Sequence, residues 1–350
     1  SDKDAHATID GGSTIGLKVE RGSEIQGNLT LISGHANTIT DEGSSGVVTV
    51  DGNLTATTNA NNGSITLNDL AVDGTIGVNT HGTGNATLVN DAGLQFASST
   101  VGGNLHATST TENITQSGVL DIAGTTTLIT SADDATINLG TSSNAFTGAL
   151  LITTNDSGTD TAGDVSIHGG TTALILGNST IDGDLTLTST ATSTTGISDS
   201  GTLDIRGTTT ISASGVDITL NSAANNFQGA VGIDGSDVIL VDAGTIDLGA
   251  STVTGTYNLT AGGSVTGSGA LAITGVTTID ASSGNVTLNT TTNNFQGAVE
   301  IDGVNVVVVD AGAIDLGAST VTGTYAVTAT ADGNITDSGV LAITGATTFT

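Results

Sequence analysis

The chain has no cysteine, proline, methionine or tryptophan, and its 350 residues include only two tyrosines, five phenylalanines and four basic side chains. Each shortage excludes something. The four cations, Lys3, Lys18, Arg21 and Arg206, face 34 acids and leave a net charge of −30. A nucleic acid partner needs clustered Lys and Arg to displace counterions from phosphates, and four scattered cations cannot supply that. Binding to an anionic membrane surface fails for the same reason. A sandwich domain usually fills its core with large aromatics and marks strand ends with proline, and neither is available here. A chain without methionine cannot begin at its translation start, so the sequence is expected to be a processed product or an excerpt of something longer. Absence of cysteine leaves the redox compartment open, but it suits a chain threaded unfolded through an export pore, where a disulfide formed on the way would obstruct passage. No signal peptide or membrane-spanning stretch is present in this sequence, so an export signal would lie upstream.

What the chain has is glycine, 51 residues of it, together with Thr, Val, Ile and Asn arranged in repeats. The stretch Ser251 to Thr274, STVTGTYNLTAGGSVTGSGALAIT, returns at Ser319 to Thr344 as STVTGTYAVTATADGNITDSGVLAIT. Looser copies begin at Ser179, Ser99 and Ser23. The five copies recur at uneven intervals of about 70 residues, the mark of a repeat architecture that tolerates insertions. Asn225 to Gly255 and Asn293 to Gly323 are also near duplicates. Within each module, short apolar segments such as Val238 to Val241, Ile246 to Leu248 and Leu271 to Ile273 are strand-sized and cut by Gly, Asn, Asp and Ser. Those intervals are too short for a helix, and no ten-residue window carries a 3.6-residue apolar stripe.

An array of near-equal units with a small aliphatic core and glycine-rich turns predicts an all-β parallel β-helix, a β-solenoid. With coils of about 20 residues stacked about 4.8 Å apart, the chain would make on the order of 17 coils and a rod of roughly 80 Å. No linker or composition shift divides it, so residues 1–350 are expected to form one continuous solenoid domain. The first twenty residues read as a partial coil. The repeat does not fix the coil length, because the interval from Ser251 to Ser319 divides as well into three coils as into four.

The runs Gly103 to Thr127, Asp217 to Val253 and Asn285 to Val321 carry the pattern GNLxxTxTxxNITQSGxLxIxGTTT followed by DITLNxAxNNFQGAVxIDGxxVxLVDAGxIDLGxSTV. This pattern resembles the tandem repeats of filamentous-haemagglutinin-like exoproteins. The resemblance implies a right-handed parallel β-helix, export through a dedicated outer-membrane transporter by two-partner secretion, and a role as a surface adhesin, toxin stalk or matrix component. It identifies an architecture rather than a receptor.

Few residues invite chemistry. Asp242 and Asp247, repeated as Asp310 and Asp315, are carboxylates at a fixed spacing such as a glycosidase would need. Their recurrence favours turn residues, required in every module, over an active site built once; Asp234 and Asp302, each before a glycine, read as turn formers too. The histidines His6, His35, His81, His106 and His168 lie far apart with no metal-ligand spacing. The abundant serine comes with no nucleophile elbow. No catalytic, cofactor-binding or metal-binding residue is therefore assigned, and no enzyme activity is expected. Loosely bound Ca²⁺ on Asp-lined turns is the only cofactor the acidity invites, although neither an EF-hand loop nor a calcium β-roll nonapeptide is present.

Phe146, Phe227 and Phe295 recur at one site in the module and read as core plugs rather than a stacking ladder. Asn225, Asn226, Asn293 and Asn294 beside them read as turn residues. Eleven N-x-S/T sequons occur, at Asn28, Asn53, Asn62, Asn85, Asn113, Asn155, Asn178, Asn258, Asn285, Asn289 and Asn334, a number that the abundance of Asn and Thr explains. Thr-x-Thr runs such as Leu185 to Thr192 raise ice binding, which needs the same pair on every coil. The sequence thus points to a rigid acidic stalk of a secreted or surface-anchored bacterial adhesin, working outside the cell. Its partners would be a host or neighbouring-cell receptor or glycan, the outer-membrane transporter during export, and other copies head to tail. A self-assembling filament or matrix subunit is the first alternative reading, and a carbohydrate-active β-helix the second.

Overall fold

A computed structural model describes residues 6–12, 16–34, 38–43, 45–155, 157–158, 162–331 and 333–350; Lys3 and His35 lie outside the described residues. Regular structure among the described residues is strand throughout, with no helix. The strands run parallel and stack as a β-solenoid of about 16 turns. The chain divides into two compact units, Ser1–Gly183 and Asp184–Thr350.

In the first unit one sheet runs through Ala7–Asp10, Leu29–Ser33, Leu54–Asn61 and Thr75–His81. The other runs through Leu17–Glu20, Ile39–Glu42, Ile65–Val72, Ala86–Asn90, Leu105–Ser109, Thr126–Asp133 and Leu150–Asn155. The first twenty residues therefore supply a strand to each sheet, which bears out the coil expected there. In the second unit Val238–Asp242, Tyr257–Ala261, Thr277–Ala281 and Ala298–Gly303 form one sheet. Ile246–Leu248, Val265–Gly267, Val286–Leu288, Val306–Asp310 and Tyr325–Ala329 lie in the other.

Alternation along each strand explains the choice of residues. Val238, Leu240 and Asp242 point inward and are buried, while Ile239 and Val241 point outward. Each inward Val, Leu or Ile removed from water stabilises the coil by about 1.5–3 kcal/mol, and the β-branched residues suit the pleated surface. Phe146, Phe227 and Phe295 are at most 1% exposed. Each sits directly on an isoleucine of the preceding coil, Ile122, Ile205 and Ile273 respectively. They are core plugs, as the repeat suggested. Phe96, Tyr257 and Tyr325 are buried equally well, and the repeat had not marked them.

Coil length follows from register. Val238 pairs with Tyr257, Tyr257 with Thr277 and Thr277 with Val299, so each of these coils is longer than the one before it. Val306, the equivalent of Val238 one module later, falls half a coil beyond Val299 and pairs in the other sheet. The module is three and a half coils, neither three nor four.

The change of sheet happens at one strand per module. Ala230–Gly235 pairs at its start with Ile246–Leu248 and at its end with Ser251–Val253, so one strand serves two shorter ones. Ala298–Gly303 does the same in the opposite sheet, with Ile314–Leu316 and Ser319–Val321. The first unit repeats the device at Thr75–His81 in one sheet and at Leu150–Asn155 in the other.

Candidate functional site

The serines that open the modules stand at these split strands. Ser99, Ser179, Ser251 and Ser319 are at most 5% exposed. Between the two short strands the long strand would lose a hydrogen-bond acceptor, and the serine hydroxyl replaces it. Ser251 Oγ accepts the Ile233 N–H at 3.0 Å and donates to the Gly249 carbonyl at 3.1 Å. Ser319 does likewise with Ile301 (3.0 Å) and Gly317 (3.3 Å). Ser99 serves Val78 and Ala97, and Ser179 serves Ile152 and Gly177. A buried N–H left without an acceptor is costly, so serine recurs here for a structural reason. Ser23 is different: its hydroxyl donates to the nearby Glu20 carbonyl at 2.7 Å.

The repeated carboxylates are also structural. Asp242 is 2% exposed. One of its oxygens accepts the Phe227 N–H of the preceding coil at 2.8 Å, and the other accepts the Gly244 N–H at 2.9 Å. Burial pushes its carboxyl above the ordinary carboxylate value, against the two N–H groups that pull it down. Asp310 repeats the bonds with Phe295 and Gly312, both at 2.7 Å. Asp247 lies outward, where Oδ1 accepts the Thr266 hydroxyl (2.9 Å) and the Ser268 N–H (3.0 Å). Asp315 accepts the Thr336 and Ser338 hydroxyls. The carboxylates of each pair thus point to opposite sides of the strand layer. In the module of Ser99, Asn90 and Gln95 hold the two places; a neutral amide there is incompatible with an acid–base pair and compatible with a strut.

Asp234 and Asp302 are corrected by the structure. They stand inside the split strands rather than in turns, because the following glycine is still strand. Their Oδ1 atoms accept the N–H of Thr252 (3.1 Å) and Thr320 (2.8 Å) on the next coil. Asn225 and Asn293 are likewise more than turn residues, being at most 1% exposed. Asn293 accepts the Leu271 N–H at 3.0 Å and donates to the carbonyls of Leu288 and Val309, both at 3.3 Å, fastening three coils. Asn144 makes the corresponding bonds with Leu120, Leu139 and His168.

A separate turn ladder accounts for many of the sequons. Asn28 Oδ1 accepts the Asn53 N–H (2.8 Å), and Asn53 Oδ1 accepts that of Thr75 (2.9 Å). Asn85, Asn104 and Thr125 form a second such run, and Asn285, Asn305 and Thr324 a third. In Asn-Leu-Thr at residues 28–30 and 53–55 the asparagine props the turn, the leucine enters the core and the threonine faces out. At Asn28, Asn53, Asn85 and Asn285, N-x-T therefore marks the start of a coil.

His6 Nδ1 accepts the Asn28 N–H and His168 Nδ1 accepts the Gly170 N–H, each at 3.0 Å. Among the described residues no group of three or more His, Cys, Asp or Glu side chains is placed to hold a metal ion. The threonine runs do not build a continuous column: Thr186 and Thr210 are followed by Gly232, and Thr188 and Ser212 by Asp234. In the first unit an open groove of about 450 Å³ is lined by Asp73, Gln95, Glu112, Asn113 and Thr115 among others. No helix of the described residues is long and apolar enough to cross a membrane.

The family described as repeats of unknown function (DUF5649) matches residues 83–153, 162–234, 235–302 and 303–350, most of the chain. The chain belongs to this family. Neither the curated proteins nor the solved structures compared with it contain a match. The third match spans one module, and the stretch beginning at Ser23, whose serine plays a different part, lies outside all four.

Proposed function

We propose that this DUF5649 chain is a structural and interaction protein, a β-solenoid stalk of a large secreted or surface-anchored bacterial adhesin of the filamentous-haemagglutinin type. One observation carries the reading: the buried polar residues shared by the last two modules are spent on holding coil to coil. Ser251, Asp242 and Asn293 each satisfy backbone groups of a neighbouring strand. What the chain repeats is scaffold, and selection for scaffold length suits a protein whose work is reach and display. Export through an outer-membrane transporter fits a chain without cysteine, and the acidity keeps an extracellular repeat protein in solution. The test immobilises the folded chain on inert beads and measures adherence of bacterial and epithelial cells, alongside binding to a glycan array. Adherence above that of uncoated beads supports the adhesin; beads that carry folded chain and retain neither cells nor glycans argue against it.

The groove of the first unit favours a second reading. Asp73 and Glu112 face it together with Gln95, Asn113 and Thr115, a lining of acids and hydroxyl or amide groups suited to a polysaccharide. Release of reducing ends from bacterial or plant polysaccharides by the purified chain, abolished in Glu112→Gln, would turn the stalk into a carbohydrate-active β-helix.

A further inference from the structure

The half-coil in each module determines where its surface points. Residues Ile246–Tyr257 and Ile314–Tyr325 are identical at every position. Ser251–Val253 nevertheless belongs to one sheet of the second unit and Ser319–Val321 to the other. The inward side chains of both sheets are buried, so the two sheets look outward on opposite sides of the coil. Thr252, Thr254 and Ala250 are exposed on one side, and Thr320, Thr322 and Ala318 on the other. Their neighbours match as well. Thr252 lies between Asp234 and Ala272, and Thr320 between Asp302 and Ala342. In each case the aspartate fixes the threonine backbone by the same hydrogen bond. Asp247 and Asp315 stand just ahead of the marker serine on each side. The first unit carries the same alternation, with Ser99–Val101 in one sheet and Ser179–Ile181 in the other.

We infer that the module is a face-alternating unit, and that a chain bridges two molecules of a basic partner on opposite sides instead of binding them side by side. An integral module would stack every copy of the surface on one face, as a row for one extended ligand. Three and a half coils turn each copy away from the last. Charge complementarity fixes the class of partner: residues 184–350 hold fifteen Asp and Glu and a single cation, Arg206, and both copies of the surface carry the same two aspartates. The use of this geometry rests on the display reading above, but its placement does not.

The test exploits the absence of cysteine. Thr252→Cys and Thr320→Cys, exposed on both faces, are introduced together and spin-labelled. Three coils on one face would put the backbones about 14 Å apart. Three and a half coils across two sheets about 10 Å thick give about 20 Å, widened further by labels pointing away from each other. A long distance is expected, and a distance near that of a one-sided stack overturns the inference. In a second arm, beads coated with an oligolysine peptide are mixed with unmodified chain at low salt, with detachment in high salt as the control. Cross-linking of beads at substoichiometric chain is the expected result. Beads that bind chain without cross-linking overturn bridging, and beads that bind none overturn the basic partner, each leaving the adherence test of the display reading to stand by itself.

Discussion

At the scale of single residues, Ser251, Asp242 and Asn293 are buried polar side chains that each hold a backbone group of a neighbouring strand. Ser251 is the clearest. Replacing it with alanine leaves the Ile233 N–H buried without an acceptor, a loss of about 1–3 kcal/mol. Chemical denaturation of Ser251→Ala should show a lower midpoint, with Thr252→Ala, exposed on the next position, as the unaffected control. Asp242 carries a signed pH dependence. Its carboxyl is raised above the ordinary value of 3.8 chiefly by burial, so the folded chain holds this proton more tightly than the unfolded chain. The stability it contributes is fully present below the unfolded value and is lost as pH rises through the raised one. A wild-type minus Asp242→Asn difference curve should therefore fall from about pH 4 upward and level off above the folded value. A difference that climbs with pH would mean that the two N–H bonds outweigh burial. The role of these residues was only partly legible. Recurrence separated Asp242 from a catalytic acid, yet neither its burial nor the task of the marker serine shows in a sequence, because both depend on which strand lies underneath.

At the scale of the strand and turn, close stacking sets the demands. Coils repeat at the strand spacing, so equivalent turns nearly touch, and a side chain there has nowhere to go. A Cβ built on Gly275 would lie 2.6 Å from the Gly255 carbonyl carbon and 2.9 Å from the Thr256 nitrogen. Gly244 meets nothing nearer than 3.7 Å. Gly275→Ala should then cost about 1–3 kcal/mol through forced backbone shifts, while Gly244→Ala should be nearly neutral; thermal unfolding of the two variants side by side decides it. Strands, their parallel stacking and the phenylalanine plugs were legible because they follow from residue type and local alternation. The half-coil offset was not. Successive coils differ in length within one module, and the period of the repeat is silent about which sheet a segment joins. Asp234 and Asp302 were misplaced for a related reason: Asp-Gly favours a tight turn in isolation, but here the next coil supplies the N–H of Thr252 or Thr320 and holds the pair extended.

For the whole molecule, the dominant quantity is charge. A net −30 with four cations leaves a large excess of carboxylates over cations, and such self-repulsion weakens a compact state. Near the start of the chain ion pairs join Lys18 to Glu42 and Arg21 to Asp41 and Asp69, and the exposed pair of Lys18 and Glu42 contributes little. Some carboxylates are direct neighbours, as Asp280 and Asp302 are across adjacent strands. Salt should relieve this repulsion, since the screening length falls from about 30 Å at 0.01 M to about 8 Å at 0.15 M. The unfolding midpoint is expected to climb over that range of NaCl and then flatten. CaCl₂ at matched ionic strength separates two kinds of relief. If the cations act as a diffuse atmosphere, the two salts give coincident midpoints at equal ionic strength. A further rise with Ca²⁺ that saturates would mark cations held on the aspartate-rich faces, and these faces would then meet a partner as metal-bridged surfaces, weakening the case for a basic one.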